Sequence, residues 1–569
     1  MRRCLLLLLG MGVASSMAQA ADTTGAASPK PAYHGMITAT TGSNAIEGGV
    51  EVLKAGGSAA DAAVATALTQ ICMAAGSWVS YAGIMTMVYF DAATGKVYNL
   101  NAGYNTVKAE SDAMTMPGVD LAELVKDLRA SNYQPSGRTA LVPGFMAGVE
   151  AAQRKFGKVP FAKVFEPAIR CAEQGFEWNA GLAGQYAFRK DVLGRLPETK
   201  AIFTKADGAA YQPGEVFKQP ALAETLRQVS RKGADYMYRG EWGKKFIAAL
   251  QRDGGRMTFD DLASYKVLWT EPLHSNYHGY DIYVHGLPAN GGVNLVEAMN
   301  LADLSEVAKL GRYAQSPQAT FTLAQILKPA EFFDLVLTDP KIYESVGLDR
   351  SLEARVKKES AAKLWDVLRS GRMPTVPAIP SVPAHSDAII SIDRWGNIAA
   401  ICHSINAVSW GATGINVDGI SIPDSASFQR AEISKVTPGG RLPDPSSPGL
   451  VVSKGKPFMG FSSIGAGLHA RTVTALISVL DFGMTPQQAI DEPSLGSFTL
   501  GADGASVLTL GKNEFKPEFI DQVSKLGQQL VENDQLRGYW IGVQIDQKTG
   551  ELHGGAIRGL AMGGRAVGY

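Results

Sequence analysis

Cysteine is scarce in this chain: the 569 residues include 4, and Cys4 lies in an N-terminal segment read below as removable, leaving Cys72, Cys171 and Cys402. An odd number without C-x-x-C spacing allows at most one disulfide and excludes a disulfide framework. A charge excess is missing too, because Lys+Arg and Asp+Glu both total 54. That balance argues against nucleic acid or an anionic membrane surface as a partner and leaves a small molecule as the default. No H-E-x-x-H occurs. The one H-x-x-x-H spacing, His274/His278, sits in a Pro/Tyr/Gly-rich stretch rather than on a helical face, so no metal or cofactor is expected. Beyond the first 20 residues there is no apolar run of about 18, the length a membrane-crossing helix needs. Arginine is absent between Arg3 and Arg129, and this gap matters further on.

Residues 1–20 combine a basic start, an apolar run too short to span a bilayer and an A-x-A site, which together read as a secretory signal. The mature protein is expected to begin at Ala21, to be periplasmic or secreted, and to have no membrane attachment once the signal is removed. With 46% hydrophobic and 19% charged residues, the remainder is an ordinary globular composition. Its length suits several domains or one large layered fold.

Along the chain, residues 45–73 carry two Ala-rich helical patterns broken at Gly56-Gly57, with Ser58 or Asp61 able to cap the second. Residues 83–89 and 96–100 read as a hairpin, and 277–284 reads as one strand. Thr258 is an N-cap candidate for a short helix. Helices are expected at 293–301 and through most of 318–370, followed by a run with four prolines that favours extended, exposed backbone. After it come strands at 449–452, 458–462 and 540–545, with helices near 467–482, 485–491 and 516–526. No internal repeat is present.

The text from 383 to 411 is the most informative. The proline-rich approach stops, Ser386 heads an apolar run, Trp395-Gly396-Asn397 makes a turn, and a second apolar run follows. A serine hydroxyl is a weak nucleophile that needs a base. Cleavage of the His385–Ser386 bond would free an α-amine, with a reference pKa of about 7.7–8.0, on the nucleophile's own residue. Other nucleophile signatures are weak: Gly460 to Gly465 misses the G-x-S-x-G elbow by one residue, and no S-x-x-K occurs.

The chain from G-G-S-A-A-D-A-A-V-A at 56–65, through V-P-G-F-M-A-G at 142–148, M-Y-R-G at 237–240, D-D-L-A-S-Y at 260–265 and Y-H-G-Y at 277–280, to A-V-G-Y at 566–569, resembles the γ-glutamyltransferase family of N-terminal-nucleophile hydrolases. The resemblance implies a four-layer αββα sandwich with a helical region contributed by the large segment. It also implies an exported precursor that cuts itself into a large segment, 21–385, whose Pro-rich end spans 371–385, and a small segment, 386–569, which stay associated. The family's central motif has Gly-Asn ten residues after the nucleophile and Asn twenty after it. Ser386, Gly396-Asn397 and Asn406 keep that spacing. By resemblance Ser386 is the nucleophile, Ser404 and Asn406 orient it and the substrate, and Gly465 with Ala466 supplies the oxyanion donors.

Three departures bear on the substrate. The nucleophile triplet is Ser386-Asp387-Ala388 where the family has Thr-Thr-His, and a carboxylate close to the new α-ammonium would make it a poorer base. The arginine that holds a γ-glutamyl α-carboxylate in the family is missing, and Asn99 to Asn105 stands in its place. The family's serine pair aligns with Asp444-Pro445, although Ser446-Ser447 follows directly, and Asp424 remains as the acidic candidate for an amine. Trp78, Tyr81 and Trp410 occupy positions near the expected pocket and suggest an apolar or aromatic acyl group or a narrowed site; the alternative is that they are core aromatics filling space left by changed loops. The expected function is a self-processed amidohydrolase or acylase acting on a small amide through an acyl-enzyme on Ser386. Two alternatives stay open: γ-glutamyl hydrolysis or transfer on glutathione-like compounds, and a non-catalytic family member used for binding.

Overall fold

The computed structural model describes residues 30–118, 134–332, 343–371, 386–465, 468–500, 506–534, 538–557 and 563–569. The signal segment, the Pro-rich stretch from 372 on, His385 and Ala466 lie outside the described residues.

Two antiparallel sheets form the centre. The first has seven strands, in the order Arg565–Gly568, Met36–Ala39, Ser386–Ile392, Ile398–Ser404, Ile84–Asp91, Lys96–Ala102 and Leu268–Thr270. The second has six: Leu552–Gly555, Tyr539–Ile545, Lys456–Ile464, Gly449–Ser453, Tyr280–Val284 and Leu273–Tyr277. Alternation along the Ser386–Ile392 strand explains the layering. Ala388, Ile390 and Ile392 join Ile398, Ala400, Leu450 and Val543 in a core between the sheets, whereas Ile389 faces the helices with Ala399 and Ile401. A strand apolar on both faces is buried on both, which is why A-I-I-S-I reads as a continuous hydrophobic run. Helices Ser43–Lys54, Ala59–Met73 and Phe145–Phe156 cover the first sheet, and Asn290–Ser305 and Leu468–Leu480 cover the second. The αββα sandwich is therefore present.

The local signals in the sequence have identifiable physical counterparts. Ser58 and Asp61 do not compete for the cap of the Ala59–Met73 helix; they make a reciprocal capping box. The Asp61 carboxylate also accepts the Lys158 backbone N–H at 2.6 Å, which ties this cap to the loop after the Phe145–Phe156 helix. Thr258 and Asp261 form the same box on the short Phe259–Ala263 helix. The Ala/Gly density of the first two helices allows close crossing, for a Cβ on Gly49 would lie 2.1 Å from Thr66 Oγ1. One expectation needs correction. Residues 277–284 are not a single strand, because His278 (φ 49°) and Gly279 (φ 86°) turn the chain between Leu273–Tyr277 and Tyr280–Val284. Two successive positive φ values match the right-handed twist of a two-residue hairpin.

The chain's last strand pairs with Met36–Ala39, which in turn pairs with the strand headed by Ser386. Residues on both sides of position 386 are thus interleaved in one sheet.

Candidate active site

The site grows from the hairpin Ser386–Ile392/Ile398–Ser404. Its turn is held by Asp393, whose carboxylate accepts the backbone N–H groups of Trp395 (2.9 Å) and Asn397 (3.1 Å) and, from the neighbouring helix, that of Ala59 (2.9 Å). With the turn set, the register follows, and Ser386 is paired directly with Ser404. The Ser386 hydroxyl donates to Ser404 Oγ at 3.0 Å, and the Asn406 backbone N–H donates to the same oxygen at 3.0 Å. Asn406 has φ 48°, in the left-handed region that Asn tolerates, and turns the chain out of the strand there. Its side-chain N–H reaches Asp444 Oδ2 at 3.0 Å. Ser386, Ser404, Asn406 and Asp444 therefore form one connected chain of contacts.

Asp444 is buried. Its other oxygen accepts the Ser446 backbone N–H at 2.9 Å and the Ser446 hydroxyl, which itself lies 3.1 Å from Thr86 Oγ1. Ser447 Oγ is buried and has no hydrogen-bond partner among the described residues. Asp424 is buried as well, with Oδ2 accepting from Ser427 Oγ at 2.8 Å and Oδ1 unpartnered. Among the described residues neither carboxylate has an ion-pair partner. Arg441, three residues before Asp444, is committed elsewhere: it donates to Asn105 Oδ1 (2.7 Å), Asn101 O (2.6 Å) and Lys266 O (2.7 Å). Asn101 and Asn105, in the stretch where the resemblance would place an arginine, are thus bound to Arg441.

Gly465, with φ 81°, directly follows the Lys456–Ile464 strand, whose Ile464 shares the inter-sheet core with Ala388 and Cys402. Ser462 is fully buried on that strand and Ser463 Oγ lies 2.7 Å from Thr472 Oγ1, so the near-miss elbow is packed into the second sheet.

The surroundings of three residues decide between readings. Trp410 is not a pocket wall: it is 2% exposed, its indole N–H donates to Ala75 O at 2.8 Å, and its ring packs edge-on against Phe203. Tyr81 is likewise a core residue, bonded to Leu68 O at 2.7 Å. Their aromatic character fills the helix layer and says nothing of the acyl group.

Asp387 is the third. Strand alternation sends its side chain to the helix face, away from the Ser386–Ser404 contact, where Thr40 Oγ1 (3.0 Å), Thr41 Oγ1 (2.6 Å) and Trp78 Nε1 (3.0 Å) all donate to it. Burial pushes its carboxyl from 3.8 up to about 6, with the three donors limiting the rise. Opposite it, His403 is held neutral by burial, at about 3, with Nε2 2.9 Å from Gln70 Oε1. Nothing in the sequence around 387 points to Thr40, Thr41 or Trp78, which only the fold brings in.

A stability effect follows. A carboxyl with its pKa raised in the folded state favours folding in full below 3.8, and that contribution is lost as pH rises through about 6. Compared with Asp387→Asn, the unsubstituted protein should lose on the order of 3 kcal/mol across that window. Denaturant melts of both proteins at several pH values would check this. Parallel curves would contradict the raised pKa.

Comparison with known proteins adds an independent line. A family model described as gamma-glutamyltranspeptidase matches residues 45–558. The chain is 29% identical over 512 residues to a glutathione hydrolase proenzyme of Pseudomonas aeruginosa, covering 86% of each chain. It is 25% identical over 495 residues to an acylase ACY 1 proenzyme of a Pseudomonas species, covering 83% of this chain and 84% of that one. In fold it is similar to the cephalosporin acylase of Bacillus halodurans, with TM-score 0.76, 21% identity, and coverage of 97% of this chain and 98% of that one. Among the described residues no helix is long and apolar enough to cross a membrane.

Proposed function

Because the chain belongs to the gamma-glutamyltranspeptidase family and is similar to proteins named as glutathione hydrolase and acylase proenzymes, we propose that it is an exported precursor that cuts itself before Ser386 and hydrolyses a small amide other than an ordinary γ-glutamyl compound. The observation that carries this reading is the Ser386–Ser404–Asn406 contact at the head of the central hairpin, with the nucleophile spacing intact.

In the first step Ser386 Oγ attacks the carbonyl carbon of residue 385, and the peptide C–N bond breaks as the ester forms. The proton ends on the freed α-amine, and water hydrolyses the ester to leave a new N-terminus at Ser386. In turnover that amine accepts the Ser386 hydroxyl proton as Oγ attacks the substrate amide, and passes it to the leaving nitrogen. Water then resolves the acyl-enzyme, giving one proton to the amine, which returns it to Oγ. Ser404, which receives the Ser386 hydroxyl, aligns the nucleophile. Gly465 and Ala466 are assigned the oxyanion.

The substrate part of the reading rests on Asp444. An α-carboxylate brought to the position of the family's serine pair would meet a buried anion without a guanidinium to bind it, at a cost of several kcal/mol. Asp424, with an unpartnered oxygen, is suited to a hydrogen-bond donor or cation on the acyl group instead. Continued association of the two segments is supported by the pairing of Met36–Ala39, from the large segment, between two strands of the small one.

Purified mature protein run on a denaturing gel should resolve into segments 21–385 and 386–569, and Edman sequencing of the smaller should begin Ser-Asp-Ala. A single intact chain after prolonged incubation would refute the reading.

A further inference from the structure

Cleavage before Ser386 would leave the nucleophile at a chain end, and chain ends fray unless tied down. The strand it heads has two neighbours, but they do not reach equally far. On the Ile398–Ser404 side the ladder extends to Ser386 itself. On the Met36–Ala39 side, register pairing stops at Ile389, followed by one bond from the Thr40 N–H to Ala388 O at 3.1 Å. Residues 386 and 387 therefore lack a strand partner on that edge.

The gap is closed by side chains. Thr40 Oγ1 accepts the Ala388 N–H at 3.0 Å and donates to Asp387 Oδ1, Thr41 donates to the same oxygen, and Trp78 Nε1 donates to Oδ2. All four groups are buried, with Asp387 at 0% exposure. Buried bonds of this kind resist opening, because each group left unpaired would bear its full desolvation cost. Side chains alternate along a strand, so holding Asp387 on the helix face holds Ser386 on the opposite face, against Ser404.

We propose that Asp387, clamped by Thr40, Thr41 and Trp78, is a positioning residue that keeps the freed end of the strand in register, so that Ser386 remains on Ser404 after cleavage. The inference rests on the reading of Ser386 as the freed nucleophile. It gives the altered triplet a role: the acid stands in for ladder bonds that residues 386 and 387 lack.

The test uses the full-length precursor, with Asp387→Asn, Asp387→Ala and Trp78→Phe each assayed with a neutral acyl anilide. Asp387→Ala should lower kcat about 100-fold, the scale on which a displacement near 1 Å acts, while KM changes by less than about threefold. Asp387→Asn should restore kcat to within about fivefold. Its carboxamide oxygen can accept from Trp78, and its N–H groups can donate to the threonine hydroxyls, which accept equally well. Trp78→Phe, which removes one donor and retains the ring, should lower kcat several-fold. It gives the answer if the alanine variant does not fold. A kcat within threefold of the parent in a folded, cleaved Asp387→Ala or Trp78→Phe protein would overturn the clamp. So would equal losses in the Asn and Ala variants, which would make charge rather than hydrogen bonding the operative feature. An uncleaved parent chain would instead sink the reading of Ser386, and the clamp with it.

Discussion

Ser386→Ala is expected to leave one uncleaved chain and to lower amide hydrolysis by at least about 10⁴-fold, the scale seen when a catalytic nucleophile is deleted. The two losses should occur together, because one oxygen forms both the ester with residue 385 and the ester with substrate. Ser404→Ala should behave differently. It removes the atom that receives both the Ser386 hydroxyl and the Asn406 N–H. Processing should be slowed rather than abolished, with kcat reduced about 10- to 100-fold, the range in which a supporting hydrogen bond acts. Ser462→Ala and Ser463→Ala should be processed normally, because both serines are packed into the second sheet. Gel analysis of the four variants checks the whole set. Normal cleavage of Ser386→Ala would refute the assignment.

A glutaryl anilide is expected to be hydrolysed about 100-fold less efficiently, in kcat/KM, than the neutral butyryl anilide, which lacks only the terminal carboxylate. The physical cause is a like charge at short range in a buried site, which costs several kcal/mol. Asp444 is buried, keeps its hydrogen bonds with Asn406 and Ser446, and has no ion-pair partner among the described residues. Arg441 does not neutralise an incoming carboxylate, since its donors are directed at Asn101, Asn105 and Lys266. A γ-glutamyl anilide carries that carboxylate together with an amine, and a 4-aminobutyryl anilide carries the amine alone. The second should be the better substrate of the pair. Asp444→Asn keeps an acceptor for the Asn406 N–H while removing the charge, and should raise the glutaryl-to-butyryl ratio about tenfold or more. If the γ-glutamyl anilide is strongly preferred by the unsubstituted enzyme, the substrate argument fails while the assignment of Ser386 stands.

The site was partly legible in the sequence because part of it is local. Ser386 and Ser404 belong to one hairpin, and a turn with Asp393, Gly396 and Asn397 sets their register within a short span of chain. The paired capping boxes at Ser58 and Thr258 are equally local. The aromatic residues left two readings open for the opposite reason. A tryptophan in a loop after the second strand can line a pocket or enter the core, and the choice depends on whether partners such as Ala75 O and Phe203 lie beneath it.

What the sequence by itself determined is the hairpin around Trp395-Gly396-Asn397 with Ser386 at its head, and many of the helices around it; Ser404 and Asn406 came from the family resemblance. What only the tertiary structure decided is the environment of those atoms. Thr40, Thr41 and Trp78 reach Asp387 across more than 300 positions of chain, and Arg441 reaches Asn101 across 340. Local backbone preferences carry no information over such distances. These contacts come from packing two sheets and their helices together, and that packing determines how far burial raises the carboxyl at 387 and leaves the one at 444 without a counter-ion.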